Sequence, residues 1–200
     1  LVKIILVRHG ETDWNEVLRI QGGSSNTPLN DRGRKQAENL ALKLRQEKLQ
    51  AIYASPLQRS LDTAKAIAYY HQLEVGIEPS LREIEVGQME GVSVSELGKR
   101  LSEFLTISIE GKALPRAPGG ESLLEVKERA WDTIKRLIKR HPDGVLVLVS
   151  HYFTMLTIIC SVLGLPLSHI GRLRLSTGSI SVIILGDGLA RLELFNDRHY

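Results

Sequence analysis

The chain has 200 residues, 42% of them hydrophobic and 24% charged, and its 26 Lys and Arg against 23 Asp and Glu leave a formal charge of +3. These proportions describe an ordinary globular protein with one core and exclude collagen-like, disordered and disulfide-scaffold chains. The one cysteine, Cys160, can form neither an internal disulfide nor a cysteine-based zinc site and fits a reducing cytoplasm; without a run of five like charges, nothing marks a nucleic-acid surface.

Val2 to Val7 (VKIILV) is an apolar run with one lysine, the pattern of a central strand. It reaches Arg8-His9 too soon for a signal-peptide core, and no small-residue cleavage site follows. Gly10 to Leu29, rich in Gly, Ser, Asn and Thr, reads as a loop. A helix follows, capped by Asn30, with Ala37, Leu40, Ala41 and Leu44 on one face, and then a short strand at Ala51 to Ala54. Ser55-Pro56-Leu57-Gln58 predicts a helix start in which Ser55 caps and Gln58 closes a capping box, with Leu57, Leu61, Ala64 and Ala68 buried. A short strand around Val75, a turn at Pro79, a loop at Gly87 to Gly91 and a helix over Val94 to Phe104 come next. Ser122 and Glu125 form a second capping box, and Val126, Ala130, Ile134 and Ile138 continue as a long helix that ends at His141-Pro142.

Gly144 to Gly171 contains no Asp, Glu, Lys or Arg and is long enough to cross a bilayer. The β-branched density of Val145 to Val149, the polar Ser150-His151 and the break at Pro166 instead predict a buried strand followed by a buried helix, and no membrane partner. Ile180 to Leu185 and Leu189 to Phe195 form a hairpin about Gly186-Asp187-Gly188. Strands alternating with helices and closed by a hairpin predict a single α/β domain over 1–200. Its architecture is a three-layer sandwich, a mixed, mostly parallel sheet with helices on both faces.

Ligands in such sheets bind beyond the carboxyl ends of the strands. Arg8-His9 ends the first strand, Arg59 lies just after the second, Glu83 precedes the Gly87 loop, and Ser150-His151 ends the buried strand. Each residue alone also fits a plain structural role. As a set they hold two guanidiniums suited to phosphate oxygens, an imidazole able to attack phosphorus and a carboxyl able to protonate a leaving alkoxide. No HxH, HExxH, P-loop or GxGxxG pattern is present, so neither a metal nor a nucleotide cofactor is expected.

LVRHGETDWN at Leu6 to Asn15 resembles the signature of the histidine phosphatase superfamily, the phosphoglycerate-mutase-like clan. The similarity continues in order through Gln21-Gly22, Thr27-Pro28-Leu29, SPLQRS at Ser55 to Ser60, LREIEVGQMEG at Leu81 to Gly91, GGES at Gly119 to Ser122, VSH at Val149 to His151, and the terminal NDRHY. The resemblance implies that His9 is the nucleophile that becomes phosphohistidine. Arg8, Arg59 and His151 would form the phosphate pocket, and Glu83 would act as acid and then base. Asn15, Gln21, Gly22 and Tyr152 match phosphate- or substrate-binding positions, residues 92–118 a lid, and His199 a tail that in some relatives lies near the pocket.

The chain also departs from the pattern. Tyr152 stands where relatives often carry Gly, and Met89 where they often carry Trp. Val86 replaces a histidine found in some phosphoserine-cleaving relatives, which weighs against phosphoserine. The chain is shorter than cofactor-dependent mutases, so a more open pocket favours hydrolysis. The expectation is a cytoplasmic, metal-independent phosphomonoesterase, monomeric or homodimeric, acting on a small-molecule phosphate monoester. A cofactor-dependent phosphoglycerate mutase, an α-ribazole phosphatase and a non-catalytic phospho-ligand-binding module remain alternatives; the last has no need of Glu83.

Overall fold

The computed structural model describes residues 1–96, 117 and 119–199. The apolar runs become a six-stranded sheet built from β1 (Val2–Arg8), β2 (Ala51–Ala54), β3 (Val75–Ile77), β4 (Val145–Ser150), β5 (Ile180–Gly186) and β6 (Leu189–Asp197), in the order β3-β2-β4-β1-β5-β6. β3, β2, β4 and β1 pair in parallel, and β5 runs antiparallel between β1 and β6. Val2, Ile4, Leu6, Leu146 and Leu148 point to one face and Ile5, Val7, Val147 and Val149 to the other, all essentially without solvent contact. A strand buried on both sides needs apolar residues at every position, which is why β1 and β4 read as unbroken runs.

The helices are α1 (Asp13–Glu16), α2 (Asp31–Leu44), α3 (Gln58–Tyr69), α4 (Leu123–Arg140) and α5 (Tyr152–Leu163). α2 and α3 pack on one face of the sheet and α4 and α5 on the other, the three-layer arrangement expected. Asn30 caps α2 by accepting from the Gly33 N–H at 2.8 Å, and both halves of the Ser122–Glu125 box are present. The uncharged stretch from Gly144 resolves into β4, the twelve-residue α5 and a short 3-10 segment at Leu167–Arg172. Among the described residues no helix is long and apolar enough to cross a membrane.

Three local expectations are corrected. Ser55 does not cap α3, whose N-cap is Leu57; the first helical N–H, that of Gln58, donates instead to Asn26 Oδ1 at 2.7 Å. The buried face of α3 runs through Arg59, Ser60, Thr63, Ala64, Ile67 and Ala68, with Leu61 only half-buried. The 10–29 loop contains α1, closed by a Thr12–Asn15 capping box. The helix expected from Val94 and the lid expected over 92–118 lie mostly outside the described residues.

Register places the site. Arg8 pairs with Ser150 and Ala54 with Val149, so β1, β2 and β4 end side by side. The residues that follow them, His9, Ser55 and His151, are therefore neighbours at one edge of the sheet.

Candidate active site

His9 follows the last residue of β1. Its N–H donates to Ser150 O at 3.1 Å, and its carbonyl accepts from Gly178 N–H at 3.0 Å. The ring is only 2% exposed. Nδ1 lies 2.7 Å from Gly10 O. A carbonyl can only accept, so Nδ1 carries the proton and the Nε2 lone pair is left for attack. Gly10 N–H in turn donates to Thr63 Oγ1 at 3.1 Å, which ties the residue after the nucleophile to α3.

His151 lies beside it, the two ring centroids 5.0 Å apart. Its Nε2 is 2.8 Å from Ser55 Oγ and 3.3 Å from Ser60 Oγ. Both serine hydroxyls can donate or accept, so Nε2 is satisfied in either tautomer, while Nδ1 is buried with no hydrogen-bond partner among the described residues. The hydroxyl of Ser55, expected from sequence to cap a helix, thus holds the ring of a histidine 96 residues away.

Two guanidiniums stand around these rings. Arg59 is fully buried; its Nη1 and Nη2 donate to Ser25 O at 2.8 Å and Gly22 O at 3.0 Å. Arg8 Nη1 donates to Leu175 O at 2.6 Å. The Nε atoms of both arginines are buried and unpartnered among the described residues. Burial, with Arg59 and Arg8 nearby, holds both imidazoles well below the usual histidine value, so they are neutral at pH 7. Burial also lowers Arg59 to about 10, partly opposed by Glu83 and Glu90, and it remains a cation. Buried nitrogens that lack protein acceptors, backed by the fully buried cation of Arg59 and the half-buried one of Arg8, form an environment for a compact anion.

Glu83 is 4% exposed and sits at the start of α5. Its Oε1 accepts from the N–H of Ile84 at 2.9 Å and of Thr154 at 3.2 Å, and its Oε2 from Phe153 N–H at 3.1 Å. The first turn of a helix has unpaired N–H groups and a positive dipole end, which suits a carboxylate. The loop bearing Glu83 is gripped by Arg129 of α4. Its Nη1 donates to Ser80 O at 2.6 Å and Arg82 O at 2.9 Å, and it is paired with Glu121 at 2.9 Å.

Of the looser candidates, Asn15 caps: its Oδ1 accepts from Thr12 N–H at 3.2 Å. Gln21 Oε1 accepts from Thr12 Oγ1 at 3.0 Å, while its Nε2 is buried and unpartnered among the described residues. Gly22 carries a carbonyl for Arg59 and an N–H for Glu90 Oε1 at 2.9 Å; a Cβ there would lie 2.6 Å from Val86 Cγ2. The Tyr152 ring faces Arg8. His199 is exposed, and its carbonyl accepts from Lys43 Nζ at 2.7 Å. Ser55, Ser60, Thr63, Glu90, Arg129 and Thr154 are positioning residues that sequence reasoning missed. Ser55, Ser60 and Glu90 lie inside the motifs named above, SPLQRS and LREIEVGQMEG; Thr63, Arg129 and Thr154 do not. Among the described residues no group of three or more His, Cys, Asp or Glu could hold a metal ion.

Residues 4–198 match the model of the histidine phosphatase superfamily, branch 1. The chain is 39% identical over 183 residues to phosphoserine phosphatase 1 of Hydrogenobacter thermophilus, covering 92% of this chain and 86% of that one. It is 34% identical over 181 residues to a probable phosphoglycerate mutase GpmB of Cronobacter sakazakii, with 90% and 84% covered. Among solved structures, a phosphoserine phosphatase mutant from Entamoeba histolytica in complex with phosphoserine superposes with a TM-score of 0.89 at 29% identity, covering 99% and 98% of the two chains. A mycobacterial glucosyl-3-phosphoglycerate phosphatase complexed with VO3 superposes with a TM-score of 0.87 at 27% identity, covering 97% and 98%. By sequence and by fold alike, the chain belongs to the histidine phosphatase superfamily, branch 1.

Proposed function

We propose that the protein hydrolyses phosphate monoesters of small metabolites through a phosphohistidine intermediate, without a metal. The carrying observation is the pair of buried neutral imidazoles beside two arginines, with Arg8 Nε, Arg59 Nε and His151 Nδ1 buried and without a partner among the described residues. The phosphoryl group binds at these nitrogens. His9 Nε2 attacks phosphorus, the P–O ester bond breaks, and the leaving oxygen takes a proton from Glu83. In the second half Glu83 takes a proton from water, whose oxygen attacks phosphorus; the N–P bond breaks and inorganic phosphate leaves. The arginines and His151 stabilise the charge on the equatorial oxygens in both steps.

Relatives that act on phosphoserine or glucosyl-3-phosphoglycerate support a phosphorylated small molecule as substrate. Val86 is 8% exposed and packed against the core, so it offers substrate no polar contact, and recognition beyond the phosphate falls to other residues. The relatives named as probable phosphoglycerate mutases keep transfer as the second reading.

Rapid quenching of wild type with a labelled monoester is expected to trap acid-labile phosphate on His9. His9→Ala is expected to fold and to be inactive, and turnover is expected to survive EDTA. Label on another residue, or activity lost to EDTA and restored by Mg²⁺, overturns the mechanism. Steady release of inorganic phosphate supports hydrolysis. Interconversion of 2- and 3-phosphoglycerate that depends on a bisphosphate primer and releases no phosphate supports the mutase.

A further inference from the structure

Arg8 and Tyr152 meet where two adjacent strands end. Arg8 ends β1 opposite Ser150, and Tyr152 opens α5 two residues beyond Ser150. The Arg8 guanidinium carbon lies over the Tyr152 ring, 5.0 Å from its centroid. Both side chains then reach the same short segment: Arg8 Nη1 donates to Leu175 O at 2.6 Å and the Tyr152 hydroxyl donates to Leu173 O at 3.2 Å. Phe153 meets the Tyr152 ring edge-on at 5.1 Å, and the Phe153 N–H holds Glu83 Oε2. The ring therefore has a position set by three contacts, and one of its faces covers the half-buried guanidinium of Arg8.

A guanidinium with one nitrogen tied to a carbonyl can still swing about that bond. An aromatic face over the guanidinium carbon restricts this freedom and favours one edge directed at a ligand. We propose that Tyr152 is a positioning residue for Arg8: its ring, together with the Leu173–Leu175 segment, orients the guanidinium so that the buried, unpartnered Nε meets a phosphate oxygen. The proposal rests on the phosphate-binding reading of the site. It assigns Tyr152 an action through Arg8 rather than a bond of its own to substrate.

The probe is inorganic phosphate, with binding measured by calorimetry on the folded protein and the KM for one monoester measured alongside. Tyr152→Leu removes the ring, and the dissociation constant for phosphate is expected to rise about tenfold, with KM following it more closely than kcat. Tyr152→Phe keeps the ring and loses only the bond to Leu173 O, so its loss is expected to be about threefold. In an Arg8→Lys background, where there is no planar group to orient, Tyr152→Leu is expected to cost under twofold. Should Tyr152→Leu fail to fold, Tyr152→Met gives a second ring-free side chain for the same cycle. If wild type binds phosphate and the ring-free variant binds it equally well, the role of Tyr152 is overturned alone. A tenfold loss that persists undiminished in the Arg8→Lys background overturns it too, because the ring then acts on phosphate by another route. If wild type binds no phosphate at all, the reading of the site falls and this proposal with it.

Discussion

At the scale of single residues, the site uses burial to keep two histidines neutral and, at His9, the Gly10 carbonyl to leave Nε2 free. Glu83 is held differently, by the first N–H groups of α5 and by its own neighbour Ile84. That placement gives its carboxyl a fixed direction, as a proton donor to a leaving group requires. Glu83→Gln preserves the shape but cannot give or take a proton. It is expected to slow an alkyl phosphate by at least 100-fold and p-nitrophenyl phosphate by under tenfold, since the nitrophenolate leaves with little help and Glu83 contributes as general acid about 10²–10⁴. Equal slowing of both substrates in steady-state assays rules Glu83 out as the leaving-group acid. Arg8, His9, Arg59, Glu83 and His151 were legible because each follows a strand or loop signal and lies in a quoted motif. Ser55 was misread because its local pattern is a good capping sequence, while its hydroxyl is taken by His151 across the sheet edge. Glu90, Thr154 and Arg129 carry no local signal: their roles exist only once distant segments meet.

The helices matter to the site through where their ends fall, and α2 shows this most directly. The Asn30 N–H and side chain reach Glu11, donating to its carbonyl at 3.0 Å and its Oε1 at 3.2 Å, and Gln36 Oε1 accepts from Glu11 N–H at 2.8 Å. The first turn of α2 is pressed so closely on the loop after His9 that a Cβ at Gly33 would lie 2.0 Å from Glu11 O, and one at Gly10 would lie 2.4 Å from Gly33 O. Intrinsic helix propensity favours Ala over Gly by about 1 kcal/mol. The contact here is with backbone on both sides, and overpacking of that kind costs about 1–3 kcal/mol or more. Gly33→Ala is expected to destabilise the protein by about 2 kcal/mol, to lower its melting temperature by roughly 5 °C, and to reduce kcat through displacement of Gly10. A melting temperature at or above that of wild type shows that propensity wins and that the loop can yield. The periodicity of α2 and its Asn30 cap were readable from sequence. The requirement for glycine within its first turn was not, because it comes from a segment twenty residues earlier folding back against it.

For the whole molecule, the same burial that readies the site makes stability depend on pH. His9 and His151 have their protonation pushed far below the ordinary histidine range in the folded state, first by desolvation and then by the arginines. In the unfolded chain both return to about 6.5. Above that pH neither state binds a proton at these positions and the pair adds no pH dependence. As pH falls through 6.5 the unfolded chain takes up two protons that the folded protein refuses, so the equilibrium shifts toward unfolding. The slope is about 1.4 kcal/mol per pH unit per histidine, or about 2.7 for both, and it continues until the folded-state values are reached. Carboxylates with lowered values, such as Glu121 and Asp197, add their own loss only at more acid pH, near the ordinary carboxyl range. Urea unfolding of the phosphate-free protein is therefore expected to show stability flat from pH 8 to 7 and falling between pH 6.5 and 5. His151→Gln is expected to remove about half of the fall. Saturating phosphate is expected to flatten it further, because an anion between the rings favours their charged forms and raises the folded-state values toward the unfolded ones. A wild-type curve flat over this interval means that folded and unfolded chains take up the same protons, so that burial does not hold these imidazoles neutral.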